Sequence, residues 1–178
     1  MGFLNYHPYT GYELKKIFDT SVRHFWPADQ SQIYRTLARL MEQGYADMEK
    51  VQQEDHPDRK VYHITDAGRT ELLRWLAGPA PLTETRSTAL VQVFFFGQLS
   101  DQEILARFED YMATVRAILS HYESIPRMLD PYYAEIRSPR ERFFWMLTLE
   151  NGLGSVRASL EWAQSVIDRI RRGEVPQH

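Results

Sequence analysis

The chain has 178 residues, enough for one sizeable domain or two small ones. It has no cysteine, which excludes a disulfide scaffold, thiolate zinc sites, iron–sulfur clusters and a Cys nucleophile together. With 43% hydrophobic residues, 25% charged residues and a net charge of −3, it has an ordinary globular composition, and its mild acidity taken alone argues against a nucleic-acid binder.

No apolar run approaches the roughly 18 residues a membrane-spanning helix needs; the longest patch, residues 89–96, is broken by Gln92. The N-terminus lacks a basic stretch followed by an apolar run, so no signal peptide is expected. Tyr6 replaces the Ser or Thr that myristoylation of Gly2 would require. A cytoplasmic protein with no membrane partner is the expectation.

In chain order, Thr10 and Glu13 form a T-x-x-E capping box that opens a helix, with Tyr12, Leu14, Ile17 and Phe18 as its apolar face. A turn at Phe25, Trp26 and Pro27 leads to a second helix over about 30–43. Asp29 and Gln32 box its start, and Gly44 suits the left-handed position after its end. Ile33, Leu37, Leu40 and Met41 share one face; Ser31, Gln32, Tyr34, Arg35 and Arg39 occupy the other. Two strand-like runs, 46–52 and 60–64, flank the turn-forming residues Glu54 to Asp58 and predict a β-hairpin. Thr65 opens a third helix carrying Leu72, Leu73, Trp75 and Leu76, which Gly78 ends.

Pro79, Pro81 and Thr83 to Thr85 predict a linker over 79–86. Beyond it everything reads helical. A short apolar helix covers 87–99, and a second capping box at Ser100 and Glu103 opens a long helix to about Leu129. Ile104, Phe108, Tyr111, Val115, Ile118, Tyr122 and Ile125 repeat there with coiled-coil spacing. Pro131 and Pro139 bracket an expected loop, with Pro139 in the first turn of the last helix. That helix carries a second seam of Leu149, Leu153, Val156, Leu160, Ala163, Ile167 and Ile170. Such seams call for partner helices. Gly152 and Gly154 predict a close helix approach or a kink.

Helix, capped helix and hairpin in that order make a winged helix-turn-helix. Its second helix has the width to enter the DNA major groove, and the hairpin reaches the flanking backbone. The exposed face carries the residue types such docking needs. Arg35 and Arg39 can pair with guanine or phosphate, Gln32 can read adenine, and Ser31 and Tyr34 can donate to phosphate. Arg59 and Lys60 stand where the hairpin, over about 52–60, would meet phosphates. A polar helix face is more often simply solvated; the ordered run of elements favours DNA.

The segments Gly11-Tyr12-Glu13-Leu14, Gln32-Ile33-Tyr34 with Leu37, Leu40 and Gly44, Pro57-Asp58-Arg59-Lys60-Val61-Tyr62 with Ile64-Thr65, and Ala67-Gly68-Arg69 resemble the PadR family of transcriptional regulators, and especially its AphA-like long-armed subgroup. The resemblance is strong to residue 76 and continues by pattern through the helical half. It implies a homodimer whose C-terminal helices form the dimer. Family members carry a full helix before the Gly-Tyr-Glu-Leu motif, whereas only Met1 to Pro8 precede Tyr9 here. The expectation is that the natural start lies upstream.

The fold expected is therefore mainly α with a small β-hairpin: a winged helix-turn-helix domain over 1–78, the linker, and an α-helical dimerisation domain over 87–178. The residues expected at the dimer seam are Phe108, Tyr111, Val115, Ile118, Tyr122, Leu149, Leu153, Val156, Leu160 and Ile167. The resemblance also implies a small aromatic effector, because the family includes phenolic-acid and drug sensors. Phe95, Phe144 and Trp145 are the candidates, in a half that also holds Phe94, Phe96, Phe143, Tyr132 and Tyr133. Core packing is the commoner role of such aromatic rows. The drug-binding branch's key Trp does not carry over, since Pro79 stands there; Trp75 is expected to pack its helix on the winged-helix core.

No catalysis, cofactor or metal is expected. The six histidines form neither an H-x-x-x-H pair nor an HExxH motif. Asp55-His56-Pro57-Asp58 reads as a turn. There is no nucleophile elbow or phosphate loop, and Glu141 and Glu150 lack a convergent partner site. Two other classes stay open: a helical interaction module using the winged helix for protein contact, and a ligand-carrying or enzymatic helical protein. Up to residue 78 there are 10 basic and 11 acidic residues, including all four lysines. Acidity therefore does not exclude DNA. It requires a local positive surface and modest non-specific affinity.

Overall fold

The computed structural model describes residues 1–52, 59–80, 87–136 and 138–176. Its elements are α1 (Gly2–Tyr6), β1 (Tyr9–Thr10), α2 (Gly11–Ser21), α3 (Gln30–Glu42), β2 (Ala46–Val51), β3 (Arg59–Ile64), α4 (Asp66–Leu76), α5 (Thr88–Phe94), a 3₁₀ turn (Phe96–Gln98), α6 (Asp101–Ile136) and α7 (Pro139–Arg171). The chain divides into two units, one of residues 1–81 with 131–137, the other of 82–130 with 138–178. Most of the expected linker, 81–86, and most of the expected wing turn, 53–58, lie outside the described residues. Among the described residues no helix is long and apolar enough to cross a membrane.

In the first unit the two expected capping boxes are present: Thr10 with Glu13 on α2, and Asp29 with Gln32 on α3. Each box satisfies N–H groups that a helix start leaves open. Gly44 follows α3 with φ of +71°, the left-handed conformation glycine tolerates. The sheet is antiparallel in the order β1-β3-β2, so the hairpin gains a third strand. Tyr9 pairs with Tyr62 and Thr10 with Val61. Two residues are too short for any periodicity, so the sequence hides this strand.

The unit's core joins Leu4, Tyr9, Leu14, Ile17, Ile33, Leu37, Leu40, Ala46, Tyr62, Ile64 and Leu72. Several residues expected on apolar faces lie outside it. Tyr12 and Met41 are exposed, as are Leu73 and Leu76. Trp75 is 64% exposed and does not pack α4 on the core. Burial reaches only one narrow stripe of α4, through Gly68 and Leu72. A Cβ at Gly68 would run into the Tyr45 carbonyl oxygen, so this position accepts no side chain. The Thr65 hydroxyl, 3.0 Å from the Gly68 N–H it caps, donates to the Gly44 carbonyl at 2.7 Å. It thus ties the end of α3 to the start of α4.

In the second unit, Ser87 caps α5 and the Ser100–Glu103 box opens α6. The loop expected after Leu129 is absent: α6 continues through Pro126 and Pro131 to Ile136. A proline inside a helix costs about 3 kcal/mol. Here its neighbours Ile125 and Leu129 are 2% and 4% exposed, and their burial offsets that cost. Ser138 caps α7, with Pro139 in its first turn.

Helices α6 and α7 run antiparallel. Glu109 pairs with Arg171 at 2.9 Å, Glu123 with Arg157 at 3.6 Å, and Asp130 with Arg142 at 4.0 Å. Between them Ile104, Phe108 and Met112 meet Ala163, Ile167 and Ile170. Part of each seam is therefore satisfied within one chain. Phe108 and Ile167 are buried in that core, and Val115 and Leu149 are buried as well in the single chain. Tyr111, Tyr122, Leu153, Val156 and Leu160 remain half-buried, and Ile118 is exposed. Gly154 does not mark a close helix approach, since a Cβ there would meet open space.

Candidate nucleic-acid interface

Helix α3 is built to present one face. Ile33, Leu37 and Leu40 anchor it in the core, which turns Ser31, Gln32, Tyr34, Arg35 and Arg39 outward; all five are exposed. Arg35 and Arg39 stand one turn apart, and among the described residues neither joins an ion pair. Their guanidiniums are free to meet an anionic partner.

Gln32 is more constrained than its sequence suggests. Its Oε1 accepts the Asp29 N–H at 2.8 Å, while the Asp29 carboxylate accepts the Gln32 N–H at 2.7 Å. Two-point recognition of adenine needs that same Oε1. While the cap holds, Gln32 offers only its amide N–H groups.

Tyr34 lies over α2. A Cβ at Gly11 would stand 2.5–2.9 Å from its ring carbons and hydroxyl, so the close packing exists only because residue 11 is glycine. Tyr34 also sits near Tyr62: burial, and then the Tyr34 phenol, push the Tyr62 hydroxyl above its ordinary value. The Gly-Tyr-Glu-Leu motif is thus partly a seat for a side chain of α3.

At the base of the wing, Arg59 does not stand free. Its Nη2 donates to Glu13 Oε1 at 2.7 Å. The other oxygen, Oε2, accepts the Thr10 N–H at 2.7 Å and the Thr10 hydroxyl at 2.9 Å. Desolvation raises the Glu13 carboxyl, but the Thr10 hydrogen bonds and the Arg59 charge outweigh it and hold the group below the usual range. Lys60 is exposed and lies directly opposite Lys50 of β2, a lysine that sequence reasoning passed over. The strand alternation that puts both on one face was the signal that could have found it.

The aromatic candidates of the second unit form separate pairs. Phe95 meets Phe94 edge-on at 5.1 Å, and Phe144 meets Phe143 at 5.4 Å with the Arg140 guanidinium 5.3 Å from its ring centre. Phe95 and Phe144 are exposed and Trp145 is half-buried. Phe96 turns instead onto Phe108, and Tyr132 packs on the core of the first unit. An open groove of about 540 Å³ on the second unit is lined by Met112, Arg116, Leu160, Glu161, Gln164, Ser165, Asp168 and Arg172. None of the three effector candidates lines it. Among the described residues no group of three His, Asp or Glu side chains could hold a metal ion.

Comparison with known proteins places this geometry. Residues 1–74 match the model of the transcriptional regulator PadR-like family, and residues 85–171 that of the virulence activator alpha C-terminal domain. A probable transcriptional regulator of Mycobacterium tuberculosis is 45% identical over 82 residues, which are 46% of this chain and 43% of that protein. The negative transcriptional regulator PadR of Bacillus subtilis is 29% identical over 96% of this chain and 94% of its own. Its crystal structure with operator DNA superposes with a TM-score of 0.82 at 28% identity, covering 95% of both chains. Its complex with p-coumaric acid gives 0.74 at 27% identity, covering 96% of this chain and 95% of that one. The Vibrio cholerae virulence activator AphA gives 0.71 at 25% identity, over 96% and 95% of the two chains.

Proposed function

Because this chain belongs to the PadR-like family and is a DNA-binding transcriptional regulator rather than an enzyme, we propose that it acts as a homodimer on a (pseudo)palindromic operator, each subunit placing α3 in a major groove. Half-sites one helical turn apart would set the two recognition helices about 34 Å apart. Ser31, Tyr34, Arg35 and Arg39 are the groove-facing set, Gln32 contributes amide donors, and the wing strands reach the backbone.

The observation that carries this reading is α3 itself. It is capped, anchored on three buried residues, and presents two guanidiniums on its exposed face that are unpaired among the described residues. In the second unit the apolar side chains left uncovered support a dimer: Leu90, Val91, Phe94, Phe143 and Ile118 are each at least 37% exposed. Exposed apolar area on that scale marks an interaction surface. A regulator of this kind works where the DNA is, in the cytoplasm.

The effector class proposed is a small aromatic compound, with Phe95 and Phe144, which lie in different aromatic pairs, as separate candidate contacts. The exposed rings of Phe95 and Phe144 supply faces, and Arg140 over Phe144 supplies positive charge. The p-coumaric acid complex of the Bacillus subtilis relative supports this choice.

Sequencing the genomic fragments that the purified protein retains at about 0.15 M salt tests the function. A two-fold symmetric motif is the expected result. Retention with no shared motif would return α3 to protein contact.

A further inference from the structure

The wing strands place both of their lysines on one face. Lys50 pairs with Lys60, Met48 with Tyr62 and Ala46 with Ile64. Side chains alternate along a strand, so these six share one face. Its inner part, Ala46, Tyr62 and Ile64, is buried in the core that also holds Ile33, Leu37 and Leu40 of α3. Its outer part is the lysine pair, exposed beyond that core. The opposite face carries Asp47, Glu49 and, opposite Val51, the Arg59 that Glu13 engages, with Glu49 3.4 Å from His63.

Like charges directly opposite in an antiparallel ladder destabilise it. Among the described residues Arg59 pairs with Glu13 and the His63 ring lies 3.4 Å from Glu49; neither lysine has an acidic partner. Arg59 is engaged by a carboxylate that also holds the α2 cap. The residues joining the strands include Glu54, Asp55 and Asp58, whose charge repels phosphate. A neighbouring strand pair holds its Cα atoms only about 4.5–5.5 Å apart, so two ammonium groups there can share one phosphate.

We propose that the wing meets the DNA backbone with its Lys50–Lys60 face, on the side where α3 packs, and that Lys50 is a phosphate contact, while Arg59 is a positioning residue held back by Glu13. This rests on the DNA-binding reading above. It assigns the unfavourable lysine pair a purpose: an anion between the two ammonium groups turns their repulsion into joint attraction.

The test uses the full chain and a labelled duplex of about 30 base pairs drawn from its retained genomic fragments, long enough for two half-sites. Affinity is measured across salt concentration for the parent, Lys50→Gln, Lys60→Gln, the double lysine variant and Arg59→Gln. Because the pair shares one phosphate, replacing both lysines should flatten the slope of log affinity against log salt by about 0.9 per wing, or about 1.8 for a dimer, and each single lysine variant should flatten it by part of that. Arg59→Gln should weaken binding with the slope unchanged. Lys50→Gln should leave the thermal midpoint equal or higher, which separates lost contact from lost folding. A double lysine variant whose slope is no flatter than that of Lys60→Gln alone, or a flattened slope in Arg59→Gln, would overturn the assignment alone. A parent protein with no salt-dependent binding to any duplex would overturn the DNA-binding reading with it.

Discussion

The ring of Tyr34 occupies the space that a side chain on Gly11 would fill, with its Cε1 only 2.5 Å from where a Cβ would stand. One glycine at the start of α2 therefore sets the direction of a tyrosine on α3. The obstructing atoms are the far end of a side chain that is 41% exposed, so the ring can swing away without disturbing the core.

Gly11→Ala should accordingly spare the fold and impair recognition. We expect a small change in thermal midpoint and a clear loss of operator affinity matching that of Tyr34→Phe or larger. Thermal melts and operator titrations on the same samples check this. An alanine variant that binds as tightly as the parent would remove Tyr34 from the groove-facing set.

Arg35→Ala should weaken operator binding by about 1–3 kcal/mol if its guanidinium pairs with a base. The residue is exposed and free of ion pairs among the described residues, so the fold should not change. Titration against operator and unrelated duplex separates two roles. Loss confined to the operator marks a base contact; equal loss on both marks a phosphate contact.

If the proposed homodimer forms through the α6–α7 seam, Ile118→Asp should leave a monomer, because this residue is exposed in the single chain. Leu160→Asp tests the seam less cleanly, since Leu160 packs against the core between α6 and α7. Mass in solution, by light scattering across concentration, reads the result. A dimer that survives Ile118→Asp would place the interface elsewhere, with the exposed Leu90, Val91 and Phe94 of α5 as the next surface to change.

Acid should loosen the first unit through Glu13. Its carboxyl lies below the ordinary range: desolvation raises it, but the Thr10 hydrogen bonds and Arg59 lower it by more. The folded state thus holds the proton less tightly than the unfolded chain, whose Glu titrates near about 4.3. The stabilisation is complete above that pH and fades as pH falls through the lower folded value. Glu13 is 41% exposed, so water screens the effect and it should be modest. Urea midpoints between about pH 6 and 3 should fall less steeply for Glu13→Gln than for the parent; parallel curves would refute the role.

Much of this protein is written locally. The capping boxes at Thr10–Glu13, Asp29–Gln32 and Ser100–Glu103, the glycine after α3 and the hairpin strands all follow from contacts within a few residues. Local chemistry of that kind is read directly from neighbouring side chains. The exposed face of α3 was equally legible, because its opposite face is a regular apolar stripe.

Other features depend on residues far apart in the chain. Arg59 reads in the sequence as a free cation, and only the fold brings Glu13 beside it from 46 residues away. Trp75 looked like core until α4 was seen to bury only a narrow stripe. Pro131 looked like a helix end, but burial of Ile125 and Leu129 carries α6 past it. The seam residues Phe108 and Ile167 were legible as apolar, yet only packing decided that their partner is the same chain. Composition and length, taken first, argued mildly against DNA, and the sequence by itself could say only that any positive surface had to be local. Tertiary structure decided which charges that surface keeps. It paired Arg59 with a carboxylate, left Arg35 and Arg39 free among the described residues, and set Lys50 against Lys60. The physical reason is that caps and amphipathic stripes are settled between near neighbours, whereas the availability of a charge depends on what folding places beside it.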